Sequence, residues 1–326
     1  MRRFTSVSAA SPIDAAVRLD AEGRRAVVVG GGSDLLGMIK DDLVAPRVMI
    51  NLRSIGGLDE VRVGDGRGVV RIGGLVTLSA LAAHSLIAAT YRAIAEAAGS
   101  AATPQIRNVA TLAGNLCQRP WCWYYRQRLP CFKHGGNRCF SRAGQNQFNA
   151  IFGGGPSYIV HPSDTAPALV ALGASFRIVG PSGGRTVPAS EFFTLPSVDV
   201  SRENVLEANE LLTEVELPPA PAGLRSTYAK VLDREAWTHA VVSVAVSLVM
   251  GNDVVQRAAV VLGGVAPIPW PLPAVAELLV GERVTETLAV EAGRLAVTSA
   301  EPLAKNGYKV TLTENLVRHT LLSLTD

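Results

Sequence analysis

The chain has 326 residues, of which 48% are hydrophobic and 18% are charged. With ~150 residues as the usual size of one domain, this length predicts about two domains. The high apolar content excludes a disordered or collagen-like chain, and a formal net charge of +3 is too small to indicate nucleic-acid binding by itself. The longest apolar run, residues 240–250, is about half of the ~20 residues that a membrane span needs.

Helix and strand patterns are regular up to about residue 103. The first helix is predicted to begin at Ser11, which can cap it, with Pro12 in its first turn, and to end at Gly23. Short apolar runs predict further strands and helices, namely strands at 26–29, 48–52, 61–63 and 69–72, and helices at 35–39, after Thr77 and at 87–98. The first 55 residues therefore resemble a small β-α-β unit. Regular periodicity is then lost until about residue 151.

A proline-rich segment, Pro218-Pro-Ala-Pro-Ala-Gly223, predicts a domain boundary. The elements predicted around it are strands at 175–179, 185–188, 211–217, 227–231, 240–250 and 254–262, and helices at 165–172, 274–280, 285–299 and 314–322. We therefore expect one domain over residues 1–220, with subdomains of about 1–55 and 56–220. An α+β domain with a three-stranded sheet and helices is expected over residues 221–326.

All four cysteines lie within 23 consecutive residues, in an irregular segment (residues 116–142) that we call the cysteine loop. They are Cys117, Cys122, Cys131 and Cys139, spaced Cys-x4-Cys-x8-Cys-x7-Cys. Structural zinc sites use closely spaced pairs of ligands, whereas four thiolates on a long loop can hold an iron–sulfur cluster. The spacing favours a cluster over zinc, and inert buried thiols or disulfides remain as a third interpretation.

The charge of this region favours an anionic ligand. Residues 97–163 contain no Asp or Glu but seven basic residues, which are Arg107, Arg119, Arg126, Arg128, Lys133, Arg138 and Arg142. Such a segment creates a positive potential, and both a thiolate-bound cluster and a dinucleotide pyrophosphate are anionic. The aromatic residues of the loop could shield a cluster from water or stack on single-stranded nucleic acid. The second interpretation is disfavoured because the rest of the chain is not basic.

Two short motifs can bind phosphate through backbone amides. Gly30-Gly-Gly-Ser-Asp34 follows a predicted strand, and successive glycine amides can donate to phosphate oxygens. Thr111-Leu-Ala-Gly-Asn115 allows a close backbone approach at Gly114. Taken alone, each of these two motifs is more often an ordinary turn, whereas His161-Pro-Ser-Asp164 is equally compatible with a helix N-cap and a ligand-binding role. The sequence contains no G-x-S-x-G or His-Glu-x-x-His motif, so no hydrolase site is predicted.

Five motifs occur in an order and spacing that resemble the FAD-binding medium subunit of the molybdenum hydroxylases, the family of xanthine dehydrogenase and carbon monoxide dehydrogenase. They are Val29-Gly-Gly-Gly-Ser-Asp-Leu35, Pro104-Gln-Ile-Arg-Asn-Val-Ala-Thr-Leu-Ala-Gly-Asn115, His161-Pro-Ser-Asp164, Leu211-Leu-Thr-Glu-Val and Tyr228-Ala-Lys230. The resemblance runs nearly end to end. Two positions depart from the family pattern, because Ala113 stands where glycine is frequent and Ser33 where threonine is frequent.

The resemblance implies the fold and the cofactors. The fold class is α+β, with a two-subdomain α/β FAD-binding domain of the PCMH type over residues 1–220 and a CO dehydrogenase flavoprotein-like domain over 221–326. The cysteine loop is similar to the insertion of a subgroup that includes 4-hydroxybenzoyl-CoA reductase and periplasmic aldehyde oxidoreductases, which carries an extra [4Fe-4S] cluster. Its ligands here would be Cys117, Cys122, Cys131 and Cys139.

The resemblance also implies which residues hold FAD. The pyrophosphate would lie against Val29, Gly30, Gly31, Gly32, Ser33, Asp34, Leu35, Thr111, Gly114 and Asn115. Asp164, Leu212 and Lys230 would lie along the ribityl and isoalloxazine end. Side chains in place of the three glycines would block the backbone amides from the phosphates. No residue of this chain is expected to be catalytic.

The implied function is electron transfer within an oxidoreductase complex. A large subunit with the molybdenum cofactor would act on the substrate, a small [2Fe-2S] subunit would relay electrons, and FAD here would exchange them with an external acceptor or donor. A stand-alone MurB-like FAD oxidoreductase and a zinc-stabilised nucleic-acid-binding module are the alternatives. The N-terminal sequence shows no secretory signal, which favours the cytoplasm, or the periplasm where a partner with a twin-arginine signal exports the complex.

Overall fold

The computed structural model describes residues 2–64, 66, 68–234 and 239–325. Within these ranges the chain forms three β-sheets, and we call each sheet, with the helices described with it, the first, second and third unit. Three hydrophobic cores are present, and the core of the second unit also includes residues of the third sheet such as Ala245 and Val261. The two glycine-flanking residues Asp65 and Arg67 of the predicted 61–72 hairpin lie outside the described residues.

The first sheet is parallel and has the order β1-β3-β2. Its elements are β1 (Thr5–Ser8), α1 (Pro12–Glu22), β2 (Ala26–Val29), α2 (Leu35–Lys40) and β3 (Val48–Asn51). The prediction for α1 is confirmed: the Ser11 hydroxyl accepts a hydrogen bond from the Asp14 amide, and Gly23 ends the helix with a φ of +56°. Parallel pairing places the carboxyl end of β2, where the Gly30–Asp34 turn begins, at one edge of the sheet.

The second sheet is antiparallel and has the order β4-β5-β8-β6-β7. Its strands are β4 (Val61–Val63), β5 (Val70–Gly73), β6 (Ser175–Gly180), β7 (Gly183–Pro188) and β8 (Leu211–Leu217). The helices that accompany it are α3 (Leu78–Ala83), α4 (Ser85–Thr90), α5 (Arg92–Ser100), α6 (Pro104–Arg107), α7 (Leu112–Leu116), α8 (Trp123–Arg126), α9 (Thr165–Ala171) and α10 (Ala189–Phe192).

The predicted loss of regular structure between residues 103 and 151 is confirmed. The longest element of this segment is α7, with five residues, and the remainder consists of α6, α8, two 3-10 turns (Phe132–His134 and Phe140–Arg142) and loops. The side chains of the segment are therefore held by specific polar and aromatic contacts rather than by a helix or a sheet.

The third sheet has the order β12-β11-β10-β9 and is antiparallel. Its elements are β9 (Leu224–Val231), β10 (Val242–Gly251), β11 (Val254–Gly263), β12 (Trp270–Pro271), α11 (Pro273–Leu279), α12 (Glu286–Leu295) and α13 (Tyr308–Leu322). The three predicted strands are present, and the two-residue strand β12 is added at the edge. Helices α5 and α9 pack against this sheet from the second unit. No helix in the described ranges has both the length and the apolar character that crossing a membrane requires.

Candidate functional site

A cleft lies where the turn after β2 meets the beginning of α7. It consists of two adjoining cavities of about 380 Å³ and 460 Å³, and their walls share Ser33, Asp34, Gly114 and Gln118. The first cavity is lined mainly by apolar residues of the first and second units, and the lining of the second includes Trp121 and Trp123 of the cysteine loop. Three of the shared residues, Ser33, Asp34 and Gly114, belong to the two glycine motifs that the sequence singled out.

The glycine turn is shaped by the backbone that faces it. A Cβ atom added to Gly31 would lie 1.9 Å from the carbonyl oxygen of Val109, and Gly32 has a φ of +74°. The sequence interpretation explained these glycines by access of phosphates to the amides. The contact with Val109 gives a further reason, because any side chain at residue 31 would push the turn away from the segment that leads into α7.

The Thr111–Asn115 motif forms the opposite wall of the cleft. Thr111 caps α7, since its hydroxyl accepts a hydrogen bond from the Gly114 amide at 3.2 Å. The Ala113 amide donates to the carbonyl of Gly74 at 2.9 Å, and a Cβ atom on Gly74 would lie 3.0 Å from the Cβ of Ala113. The alanine that departs from the family pattern is therefore accommodated by a glycine in the turn that follows β5.

Asn115 ties the same motif to the beginning of α9. Its side-chain oxygen accepts hydrogen bonds from the hydroxyls of Ser163 at 2.6 Å and Thr165 at 2.7 Å. The Ser163 hydroxyl in turn accepts from the amide of Ala166. The N-cap interpretation of the His161–Asp164 motif is thus confirmed for Ser163, while Asp164 makes no capping bond.

Asp164 takes part in a buried ion pair beside the second cavity. Its carboxylate accepts from the Lys230 ammonium at 2.8 Å and from the Tyr228 hydroxyl at 2.7 Å, and the side chains of Lys230 and Asp164 are 2% and 4% exposed. Burial and, next, the neighbouring carboxylate raise the pKa of Tyr228 well above its usual value, so its hydroxyl remains a hydrogen-bond donor. Asp164 lines the second cavity, whereas Leu212 lines the first.

Two residues of this region were not predicted from the sequence. His239 lines the second cavity and its ring lies 5.2 Å from that of Trp121, and burial lowers its pKa. Tyr228 orients Asp164, as described above. Tyr228 had a sequence signal, because it begins the Tyr228-Ala-Lys230 motif, whereas an isolated histidine such as His239 had none.

The Asp34 carboxylate is directed at the cysteine loop. It accepts hydrogen bonds from the backbone amide of Arg119 at 2.9 Å and from the Arg126 guanidinium at 2.7 Å. The Arg126 guanidinium also lies 4.1 Å from the centre of the Trp121 ring. The side chain of Asp34 therefore holds the cysteine loop, although the residue also lines both cavities.

A second acid from outside the loop neutralises two more of its basic residues. Glu203 pairs with Arg119 at 2.6 Å and with Lys133 at 2.5 Å, and both Glu203 and Lys133 are buried. Burial lowers the pKa of Lys133, and the charge of Glu203 opposes this shift. Three of the seven basic residues that the sequence associated with an anion are thus already paired with carboxylates.

The four cysteines are not placed alike. Burial raises the pKa of Cys122, backbone hydrogen bonds from Tyr125 and Tyr124 oppose this shift, and the charges of Cys139 and Cys131 add smaller raising contributions. Cys117 lines the first cavity and packs against the core of the second unit, and burial alone raises its pKa to about 12. Within the described parts of the chain, no three or more His, Cys, Asp and Glu side chains are arranged to hold a single metal ion.

A [4Fe-4S] cluster bound only by cysteine takes four thiolates. Cys122 lies close enough to Cys131 and Cys139 for their charges to affect its pKa, whereas Cys117 lines the first cavity. In the described parts of the chain the four thiols are therefore not preassembled as the ligands of a cluster. The cleft fits FAD more fully, since its two cavities adjoin and the wall that they share includes residues of both glycine motifs.

Comparison with known protein families covers almost the whole chain. The FAD binding domain in molybdopterin dehydrogenase matches residues 2–220, and the CO dehydrogenase flavoprotein C-terminal domain matches residues 227–324. The chain belongs to the family of FAD-binding subunits of the molybdopterin dehydrogenases. This confirms the resemblance inferred from the motifs, and with it FAD as the cofactor of an oxidoreductase subunit.

Individual relatives support the same family. The chain is 34% identical over 327 residues to the aldehyde oxidoreductase FAD-binding subunit PaoB of Escherichia coli, with 98% of each chain covered. It is 26% identical to the carbon monoxide dehydrogenase medium chain of Hydrogenophaga pseudoflava, covering 98% of this chain and 96% of that one. A solved structure of carbon monoxide dehydrogenase from the same organism has a TM-score of 0.79 at 24% identity, covering 99% and 98% of the two chains. This confirms the fold class.

Proposed function

We propose that this subunit passes electrons between the other subunits of a molybdenum hydroxylase and an external acceptor or donor, through FAD bound in the two-cavity cleft. The observation that carries the proposal is that two cavities adjoin between the glycine turn and α7 and share wall residues of both motifs. The proteins that it resembles are named as an aldehyde oxidoreductase FAD-binding subunit and a carbon monoxide dehydrogenase medium chain. Because both relatives are named as subunits, the proposal includes two partner subunits, one with the molybdenum cofactor and one with a [2Fe-2S] cluster.

In this proposal the two glycine motifs hold the pyrophosphate. The turn from Val29 to Leu35 presents backbone amides on one wall, and Thr111, Gly114 and Asn115 lie on the other. Because the glycine at residue 31 leaves no space between the turn and the Val109 carbonyl, the two walls are closely packed. The cleft therefore needs little rearrangement to bind a dinucleotide, which favours affinity.

The second cavity would hold the isoalloxazine end. Asp164 lies in its wall, and Lys230 acts through Asp164 by fixing the carboxylate in a buried ion pair. Trp121 and Trp123 cover this cavity on the side of the cysteine loop. When bound, FAD supplies one- and two-electron transfer, and the protein contributes binding, orientation and protection from water.

We also propose that the cysteine loop carries a [4Fe-4S] cluster with Cys117, Cys122, Cys131 and Cys139 as its ligands, as the resemblance implies. Cys122 lies close enough to Cys131 and Cys139 for their charges to affect its pKa, which supports this part of the proposal. Binding of the cluster would bring all four thiols together. The proposal places the complex in the cytoplasm, with export of the folded complex by a partner bearing a twin-arginine signal as the alternative, and cell fractionation distinguishes them.

The proposal is tested by an absorbance spectrum of anaerobically purified protein, with iron, zinc and acid-labile sulfide assayed on the same sample. Flavin bands with about four irons and four sulfides per chain are expected. Flavin without iron would contradict the proposed cluster and leave the proposed flavin subunit intact. Co-purification with two other subunits is expected from cells that express the whole complex, whereas a flavoprotein that stays alone and oxidises a nicotinamide would identify a stand-alone MurB-like enzyme.

A further inference from the structure

We propose that Asp34 is a positioning residue that couples the flavin cleft to the cysteine loop, so that FAD binding strengthens docking of the loop and docking of the loop strengthens FAD binding. This inference rests on the proposed function, because it takes FAD as the occupant of the cleft. It assigns to the Asp34 side chain a role that differs from direct contact with the cofactor.

The position of Asp34 between the two features is the first observation. Asp34 forms part of the wall that the two cavities share, and it directly follows the three glycines and Ser33. Its carboxylate binds the Arg119 amide and the Arg126 guanidinium, which belong to the cysteine loop. The Asp34 and Arg126 side chains are 16% and 11% exposed, so water competes little for this pair.

Arg126 connects Asp34 to three consecutive residues of the cysteine loop, Arg119, Pro120 and Trp121. Its guanidinium donates to the carbonyls of Pro120 at 2.8 Å and Arg119 at 3.0 Å, and it packs on the Trp121 ring. A shift of Asp34 would therefore be transmitted to residues 119–121 and to the aromatic wall of the second cavity, which contains Trp121.

Charge gives the coupling its sign. A pyrophosphate bound by the glycine turn brings negative charge close to the Asp34 carboxylate, and like charges at short range in a partly buried site repel. The Arg126 guanidinium compensates the carboxylate and is itself attracted to the phosphates. If the loop left its docked position, Arg126 would no longer compensate the Asp34 carboxylate, which would then repel the phosphates. If FAD dissociated, Arg126 would lose its attraction to the phosphates and the loop would be held less tightly.

Coupling of this kind is reciprocal, since two sites that affect each other's free energy do so by the same factor. FAD should thus slow the opening of the cysteine loop by the same factor by which a docked loop tightens FAD. Couplings between protein sites are commonly about 5- to 150-fold, and we expect about tenfold here.

The test uses the full chain, stripped of FAD and then reconstituted, with hydrogen exchange measured on peptides covering residues 117–131. In the wild type, saturating FAD is expected to slow exchange in these peptides about tenfold. In Asp34→Asn, which keeps the size and removes the charge, FAD is expected to bind while the protection of the loop falls below about twofold. Asp14→Asn is the matched control, because it removes an aspartate that pairs with Arg18 on α1, away from the loop; its protection should equal that of the wild type.

A second variant makes the test independent of how well Asp34→Asn folds. Arg126→Gln is expected to raise the FAD dissociation constant by about the same factor by which FAD slows hydrogen exchange in the wild type. Arg126→Lys is expected to restore part of the lost FAD affinity. Equal protection of the loop in the wild type and Asp34→Asn, or an unchanged FAD dissociation constant in Arg126→Gln, would overturn the coupling while leaving the proposed function intact. Failure of the wild type to bind FAD would instead overturn the proposed function.

Discussion

The ammonium group of Lys133 lies 2.5 Å from the Glu203 carboxylate, and the two side chains are only 1% and 3% exposed. The same carboxylate also pairs with Arg119 at 2.6 Å. A single acid between α10 and β8 thus holds two cations that are 14 residues apart in the cysteine loop. Because charges buried at this depth are costly when unpaired, this contact fixes the loop on the second unit.

We expect Glu203→Gln to destabilise the protein by about 3 kcal/mol, since it leaves the charge of Lys133 buried without a counter-ion. Guanidinium unfolding measures the loss, and trypsin should cleave the loop faster in the variant. Glu210→Gln serves as the control, because Glu210 pairs with the more exposed Arg185 and exposed pairs contribute about 1 kcal/mol or less. Equal losses in the two variants would contradict the role given to Glu203.

Strands that carry β-branched runs were predictable from the sequence, as β2, β10 and β11 show. The strand β1 (Thr5–Ser8) was not, because it is short and largely exposed, so it lacks apolar alternation. The predicted helix over residues 87–98 is interrupted at Tyr91, whose buried hydroxyl donates to the carbonyl of Pro218. That contact joins residues 127 apart in the chain, and no local pattern reveals it.

In the candidate site, too, local motifs were predictable from the sequence and distant contacts were not. The glycine turn and the Thr111–Asn115 motif were visible because each combines local residues of unusual type. The role of the Asp34 side chain was not, because its partner Arg126 is 92 residues away. Likewise, the acid-free segment predicted a strong positive potential, and Glu203, far outside that segment, reduces it. Distant ion pairs of this kind need the folded structure.

Gly31→Ala is expected to damage the flavin cleft. Its Cβ atom would lie 1.9 Å from the Val109 carbonyl oxygen, so the turn must shift, at a cost of about 2 kcal/mol and with FAD affinity reduced at least about tenfold. Thermal unfolding and flavin content per chain measure the two effects. Gly37→Ala is the matched control on α2, because its Cβ atom would meet no other atom within 4 Å; it should retain flavin fully. Flavin content in Gly31→Ala at the control level would contradict the prediction.

The four cysteines are expected to be alike in their effect on iron content and to differ in their effect on flavin. Cys122→Ala removes one of the four proposed ligands, so iron and acid-labile sulfide should fall to a small fraction of the wild-type values. Cys117→Ala should lower the iron content to the same degree and, because it also alters the wall of the first cavity, should weaken flavin binding. Retention of most of the iron in Cys117→Ala would show that Cys117 is not a ligand.

Lys309 is buried in α13, where it connects the end of the irregular segment with the third sheet. Its ammonium donates to the carbonyls of Phe148 at 3.0 Å and Gly264 at 2.7 Å. Burial lowers the pKa of Lys309 from 10.5 to about 7. Above pH 7 the folded protein therefore tends to lose this proton, whereas the unfolded chain keeps it until about pH 10.5.

The free energy of unfolding should consequently rise with pH between about 7 and 10.5 through this group, because the unfolded state binds the additional proton. We expect Lys309→Met to flatten that part of the pH dependence, with a difference from the wild type on the order of a few kcal/mol across the interval. Guanidinium unfolding midpoints at several pH values measure the slopes. Lys305→Met is the control, because Lys305 is exposed and bonds only a side chain, Gln145, through its ammonium; its slope should match that of the wild type. Parallel pH curves for the wild type and Lys309→Met would mean that Lys309 keeps its proton in the folded state throughout this range.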